Sequence, residues 1–129
     1  MILAIDPGRD KCGLAVLDDS AVALEKKVIK RAETEAEVLA FIAKYRIETI
    51  VIGGGTEARG IEKLLLKLDL RLNIIFTKED FSTLEARKKY WQENPPKGLL
   101  KLVPRSLLSP PVPIDDYAAV ILGERYLKG

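Results

Sequence analysis

Three short apolar blocks open the chain, at residues 2–6, 12–17 and about 21–30, with turn residues between them at Gly8 to Lys11 and Asp18 to Ser20. This spacing predicts three strands joined as an antiparallel meander. The apolar period then lengthens: Ala36, Leu39, Ala40 and Ala43 share one face of a predicted helix over 34–45, opened by the capping-box pattern Thr34-Glu35-Ala36-Glu37. Strand and helix alternate from there. TIVIGG reads as a continuous apolar strand, residues 57–69 as a helix with Ile61, Leu64, Leu65 and Leu68 in phase, and NIIFT as another strand of the buried type. A helix at about 83–93 follows Ser82-Thr83-Leu84-Glu85, a second capping box. Residues 94–113 read as a long irregular loop rich in proline and carrying Lys97, Lys101 and Arg105; such loops inside compact domains lean functional. A last helix spans about 115–127.

The order βββαβαβαα describes a meander that feeds right-handed crossovers, adding parallel strands to the same sheet. That is the plan of an α/β ribonuclease H-like fold: a five-stranded mixed sheet in the order 3-2-1-4-5, with strand 2 antiparallel and helices on its flanks. No repeat or composition break divides it, so residues 1–129 are expected to form one domain.

Composition narrows the chemistry. The chain has no histidine, which removes Ser-His-Asp and Cys-His catalysis and any histidine-held metal. Its single cysteine, Cys12, lies inside an apolar run and is expected to be a buried small hydrophobe, in keeping with a reducing cytoplasm. No apolar stretch is long enough to span a bilayer and the N-terminal one is too short for a secretory signal, so a cytoplasmic protein with no membrane partner is expected. The net charge of +2 is compatible with nucleic acid without requiring it.

The acids carry more. Asp6 ends the first strand within Asp6-Pro7-Gly8, which is either turn chemistry or a carboxylate held at the strand end for a metal. Ligand sites in open α/β sheets collect at the carboxyl ends of the parallel strands. Glu79 and Asp80 follow the fifth strand and reach that same edge, provided that twist and an inward loop close the gap. In the last helix, Asp115 shares a face with Ala118, Ala119, Leu122 and Tyr126, the side expected to pack on the sheet, while Asp116 lies about 100° away. Asp115 also fits as the helix N-cap after Pro113-Ile114. Carboxylates converging without histidine need divalent cations to offset their repulsion, and Mg²⁺ or Mn²⁺ with oxygen ligands suits in-line phosphodiester hydrolysis. Asp116 and Asp80 are further possible ligands.

Several groups are placed to hold phosphate. Gly8, Gly54 and Gly55 sit in glycine turns, the latter pair before a helix N-terminus, where a tight strand-to-helix turn is the plain alternative. Arg9, Lys11, Lys97, Lys101 and Arg105 occupy loops expected near the acidic edge. Arg87, Lys88 and Lys89 could extend that surface, with Tyr90 and Trp91 offering base stacking, although solvated charge and core packing account for each singly. Ser82 and Thr83 read as helix caps, since no base accompanies them.

ILAIDPGRDKCGLAVLD, VIGGG, KEDFSTLEARK and IDDYAAVILGERYL together resemble the RuvX/YqgF group of ribonuclease H-like proteins, within the wider Holliday-junction resolvase superfamily. The likeness runs through nearly the whole chain; the first and last motifs are specific together and weak singly. It implies that Asp6, Glu79 and Asp115 correspond to the metal-binding acids. It also implies a nuclease acting on precursor ribosomal RNA or, by superfamily, on branched DNA, as a monomer or, for resolution of a junction, a homodimer. Two segments depart from the family pattern. Lys78-Glu79-Asp80 stands where Asp-Glu-Arg is usual, losing a basic residue and offering Asp80 as a substitute ligand, and Gly53-Gly54-Gly55 stands where Gly-x-Pro is usual. The alternatives are a binding module for nucleic acid or protein that keeps the fold without the chemistry, and an actin-like ATPase or sugar-kinase fragment, whose phosphate loop also follows an Asp-x-Gly pattern.

Overall fold

A computed structural model describes residues 1–68, 70–77, 83–104 and 108–129, with the backbone alone at 83 and 84. The strands are β1 (Ile2–Asp6), β2 (Lys11–Leu17), β3 (Ala23–Lys30), β4 (Thr49–Ile52) and β5 (Asn73–Phe76). The helices are α1 (Thr34–Lys44), α2 (Ala58–Lys67), α3 (Thr83–Glu93) and α4 (Asp115–Lys128). Short 3-10 turns cover Arg31–Glu33 and Gly98–Leu102, the second lying within the segment expected to be irregular. The sheet order is β3-β2-β1-β4-β5, with β1 antiparallel to β2 and parallel to β4, and β4 parallel to β5. The sheet order and strand directions are those expected.

Alternation along the central strands sorts two cores. Leu3 and Ile5 of β1, Cys12, Leu14 and Val16 of β2, and Ile50 and Ile52 of β4 face α1 and α2, packing with Val38, Phe41, Ile61 and Leu65. Ile2, Ala4, Ala15, Leu17 and Val51 face the other way, onto Ala119, Val120 and Leu122 of α4. A third cluster, Ala86, Tyr90, Trp91, Leu108, Tyr117 and Ile121, fastens α3 to the outer side of α4.

Four local expectations are corrected. The buried face of α1 is Thr34, Val38 and Phe41, whereas Ala36, Leu39, Ala40 and Ala43 are exposed. Two apolar arcs competed, and the one with bulky side chains removes more area from water. Thr34 is the first residue of α1 and not its cap; its hydroxyl donates to the Arg31 carbonyl at 2.7 Å, and the cap-like carboxylate is that of Glu33, which accepts from the Lys30 N–H at 3.0 Å. β5 is a half-exposed edge strand rather than a buried one, because no described strand pairs beyond it. For Tyr90 and Trp91 only the base-stacking option falls, since both are buried, at 9% and 7% exposure, as core packing requires. Ser82, the expected cap of α3, lies outside the described residues.

Candidate active site

Asp6 follows Ile2 and Ala4 in the strand alternation, so β1 carries it on the face that α4 covers, at the carboxyl edge of the central strand. Its ladder partner on β2 is Gly13. Paired residues of an antiparallel ladder lie roughly 5 Å apart. The first turn of α4 is seated directly on that glycine: a Cβ added to Gly13 would lie 1.8 Å from the Asp115 carbonyl oxygen and 2.9 Å from the Asp116 nitrogen. Only a residue without a side chain lets the helix end approach so closely. Small residues continue along the same face at Ala4, Ala15 and Gly53, where a Cβ on Gly53 would be 3.3 Å from Leu122 Cδ2. The sheet's α4 face is thus shallow at its carboxyl edge, and the backbone of Asp115 comes down beside the strand pair that bears Asp6.

Ile114 is the N-cap of α4, with no side-chain cap bond, so Asp115 is the first helical residue rather than the cap. A carboxylate in that first turn is favoured by the partial positive charge of the helix N-terminus. Asp115 and Asp6 are both half-buried, and Asp6 has an interaction of its own. Ala119 and Leu122, on the Asp115 face, are buried as the helical phase predicts, while Tyr126 at the far end is 36% exposed.

Asp116 turns to β3 instead. Its Oδ2 is 3.2 Å from Lys26 Nζ, its Oδ1 accepts the Tyr117 N–H at 2.9 Å, and Lys26 Nζ lies 4.2 Å from the Tyr117 ring centroid. Burial acts against the Lys26 ammonium, but the hydrogen bond and charge of Asp116 outweigh it and Tyr117 adds to them, so Lys26 titrates above the ordinary lysine value. The adjacent acids of α4 thereby have different surroundings, Asp116 anchoring the helix to the β3 side and Asp115 lying over the β1–β2 pair. Glu79, Asp80 and Arg105 lie outside the described residues. Among the described residues no group of three or more acidic or cysteine side chains is arranged to hold a metal ion.

A cleft of about 760 Å³ opens beside Asp6, walled by Pro7, Gly8 and Arg9 on one side and by Gly54, Gly55, Thr56 and Glu57 on the other. Arg31 braces it from behind: Nη1 donates to the Gly8 carbonyl at 2.8 Å and to the Glu57 carboxylate at 2.8 Å. Gly60 leaves room for this guanidinium, since a Cβ there would lie 2.3 Å from Arg31 Nη2. Glu57, the N-cap of α2, makes the glycine turn less welcoming to a bare phosphate than sequence suggested, although Arg31 offsets its charge. Arg9 lines the cleft; Lys11, at the start of β2, and Lys97 and Lys101, on the turn after α3, are exposed. Cys12 is fully buried behind the same turn, its Sγ 4.0 Å from the Gly8 carbonyl oxygen. A larger hollow, about 970 Å³, lies between α3 and α4; Lys88 and Lys89 contribute to its wall, but it contains neither Asp6 nor Asp115. Lys89 is paired with Glu124 at 3.0 Å.

Arg31 and Lys26 are the site-supporting residues that sequence reasoning missed. Each acts across elements, Lys26 on a residue 90 positions away and Arg31 on one 26 away, and no local spacing announces such pairs.

Residues 1–83 match the family of Tex protein YqgF-like domains. The chain belongs to this YqgF-like family. The matched part of this YqgF-like chain runs from β1 to the start of α3, so it includes Asp6 and the Lys78–Asp80 segment and stops short of α4. No curated protein sequence matches. Among solved structures, the chain is similar to Thermus thermophilus RuvC in complex with a Holliday junction substrate, at 16% identity and a TM-score of 0.56, covering 95% of this chain and 89% of that one. A second Thermus thermophilus RuvC structure gives 15% identity and a TM-score of 0.49, over 95% and 90% of the two chains. A protein from Cytophaga hutchinsonii assigned as a sugar kinase gives 12% identity and a TM-score of 0.47, over 68% of this chain and 38% of that one. Only the first likeness is close enough to weigh, and with the sheet order it shows the ribonuclease H-like fold. No described helix is long and apolar enough to cross a membrane.

Proposed function

We propose that this chain is a divalent-metal-dependent nuclease that hydrolyses phosphodiester bonds in structured nucleic acid, a precursor ribosomal RNA or branched DNA. The observation that carries this is the seating of α4 on Gly13, which sets the backbone of Asp115 beside the ladder pair that carries Asp6. Family membership and the likeness to a RuvC bound to a Holliday junction support the same chemistry. Asp6, Asp115 and, from the segment after β5, Glu79 or Asp80 would hold Mg²⁺ or Mn²⁺. The ion would supply activation of water and stabilisation of the leaving oxygen. The chain's own contribution is placement. β1 and α4 fix the acids from opposite ends of the chain, Arg31 keeps the Asp6-Pro7-Gly8 turn against the glycine loop, and Arg9, Lys11, Lys97 and Lys101 neutralise phosphates of the bound strand.

Asp6→Asn tests the proposal. It should lower Mg²⁺-dependent cleavage by at least ~100-fold while leaving the thermal midpoint near that of the wild type, because it removes a charge without changing shape. Cleavage at the wild-type rate by this variant would refute the mechanism. A wild-type chain that binds a junction or rRNA precursor under every divalent metal without cutting it would assign the fold to binding alone.

A further inference from the structure

The turn Gly98–Leu102 exposes large apolar side chains where a folded chain usually hides them. Leu99 is 84% exposed and Leu102 82%, with Leu100 at 50%. The turn is held at both ends. Before it, the Asn94 side-chain amide donates to the Tyr90 carbonyl and to the Tyr117 hydroxyl, each at 3.1 Å. After it, Val103 packs against the α3–α4 cluster of Ala86, Tyr90, Trp91, Leu108, Tyr117 and Ile121. Gly98 takes a left-handed φ of +64° to start the turn, a conformation that costs glycine little. The leucines are thus presented on a turn tied on both sides to the α3–α4 cluster.

Charge indicates what they meet. Residues 94–114 contain Lys97, Lys101 and Arg105 and no acidic residue. A second copy of the chain would bring like charge to like. A nucleic-acid strand offers what this surface lacks, anionic phosphates for the lysines and apolar base faces for the leucines. We propose that Leu99 and Leu102 form a wedge that enters an unstacked or unpaired step of the nucleic acid lying along the Asp6–Asp115 edge, with Lys97 and Lys101 on the flanking phosphates. Apolar side chains inserted at base steps are an established way to recognise or impose a break in stacking. The wedge rests on the nuclease reading above and deepens it, making this turn the element that favours interrupted helices over continuous ones.

The test uses DNA and RNA duplexes, continuous or carrying a bulge, and a four-way junction, each with 2-aminopurine at the interrupted step and without added metal. The full chain should bind the interrupted forms more tightly and raise 2-aminopurine fluorescence. The double variant Leu99→Ser and Leu102→Ser, whose side chains lie outside every core, should fold normally, lose the rise, and lose about tenfold of the preference for interrupted forms. Lys97→Gln with Lys101→Gln should weaken binding to all forms alike and flatten its salt dependence. If the leucine variant keeps the rise and the preference while cleavage persists, the wedge is wrong and the nuclease stands. If the wild type binds no nucleic acid, both fall. If the leucine variant instead abolishes self-association, or sedimentation with anionic phosphatidylglycerol vesicles, while nucleic-acid binding is unchanged, the turn serves that other surface and the wedge is overturned.

Discussion

Gly13→Ala probes the contact on which the candidate site is built. The new Cβ would meet two backbone atoms of Asp115, the carbonyl oxygen at 1.8 Å and the carbonyl carbon at 2.3 Å. Ordinary contact begins near 3.4 Å. The start of α4 must therefore lift from β2 by about 1.6 Å, since no side-chain rotation can relieve a clash with backbone. Overpacking of this kind costs about 2 kcal/mol, which at a urea slope of about 2 kcal/mol/M lowers the unfolding midpoint by about 1 M. The effect on chemistry should be larger. Displacing a reacting group by about 1 Å costs roughly 100-fold, so cleavage should fall by at least that factor and Mn²⁺ affinity should fall with it. Urea unfolding followed by Trp91 fluorescence, Mn²⁺ titration and a cleavage assay measure the three effects. Gly123→Ala is the control. Its Cβ would meet the flexible end of Leu17, 2.5 Å from Cδ1, at the other end of the same helix, so it should cost stability while sparing Mn²⁺ affinity. Gly13→Ala with wild-type Mn²⁺ affinity and cleavage would show that the seating of α4 does not set the site.

Lys26→Met should destabilise the fold by about 1 kcal/mol, because it leaves the Asp116 carboxylate, 13% exposed, without its cation. Since the folded-state pKa of Lys26 lies above 10.5, the stability it contributes is complete below that pH and is lost as pH rises through the folded value, so wild-type and variant urea midpoints should differ at pH 8 and converge in more alkaline solution. Arg31→Ala removes two charge-assisted hydrogen bonds across the cleft and should cost about 2 kcal/mol in urea unfolding, with Glu57→Gln costing less because the Gly8 bond survives. Trp91→Phe should leave nucleic-acid affinity by anisotropy unchanged, as the ring lies in the α3–α4 core; a tenfold loss of affinity would restore it to the binding surface.

The fold was legible because its signals are redundant. Three strand blocks at turn spacing, then strand and helix in alternation, leave few ways to form a sheet, and the crossover rule orders the rest. The seating of the last helix was legible in part. The phase of Asp115 with Ala119 and Leu122 pointed to the face that packs, but nothing in the local pattern singled out Gly13, which reads as an ordinary small residue inside a strand. α1 was misread because its alanines sit at a perfect helical spacing while Val38 and Phe41 bury more. For Tyr90 and Trp91 the plain alternative of core packing holds over base stacking, because Tyr117, Ile121 and Leu108 arrive from other parts of the chain to cover them. Lys26 and Arg31 act on residues in other elements, and long-range ion pairs leave no periodic trace. Glu79, Asp80 and Arg105 lie outside the described residues, so the ligand expected after β5 rests on its position in sequence and on family membership.

Because one acid of the pair sits on the first strand and the other opens the last helix, a chain still emerging from the ribosome exposes Asp6 long before Asp115 exists to join it. The hydrophobic seat on β1 and β2 waits empty until the residues of α4 have been made. Any chemistry that needs both acids is in this way postponed until α4 docks on the sheet.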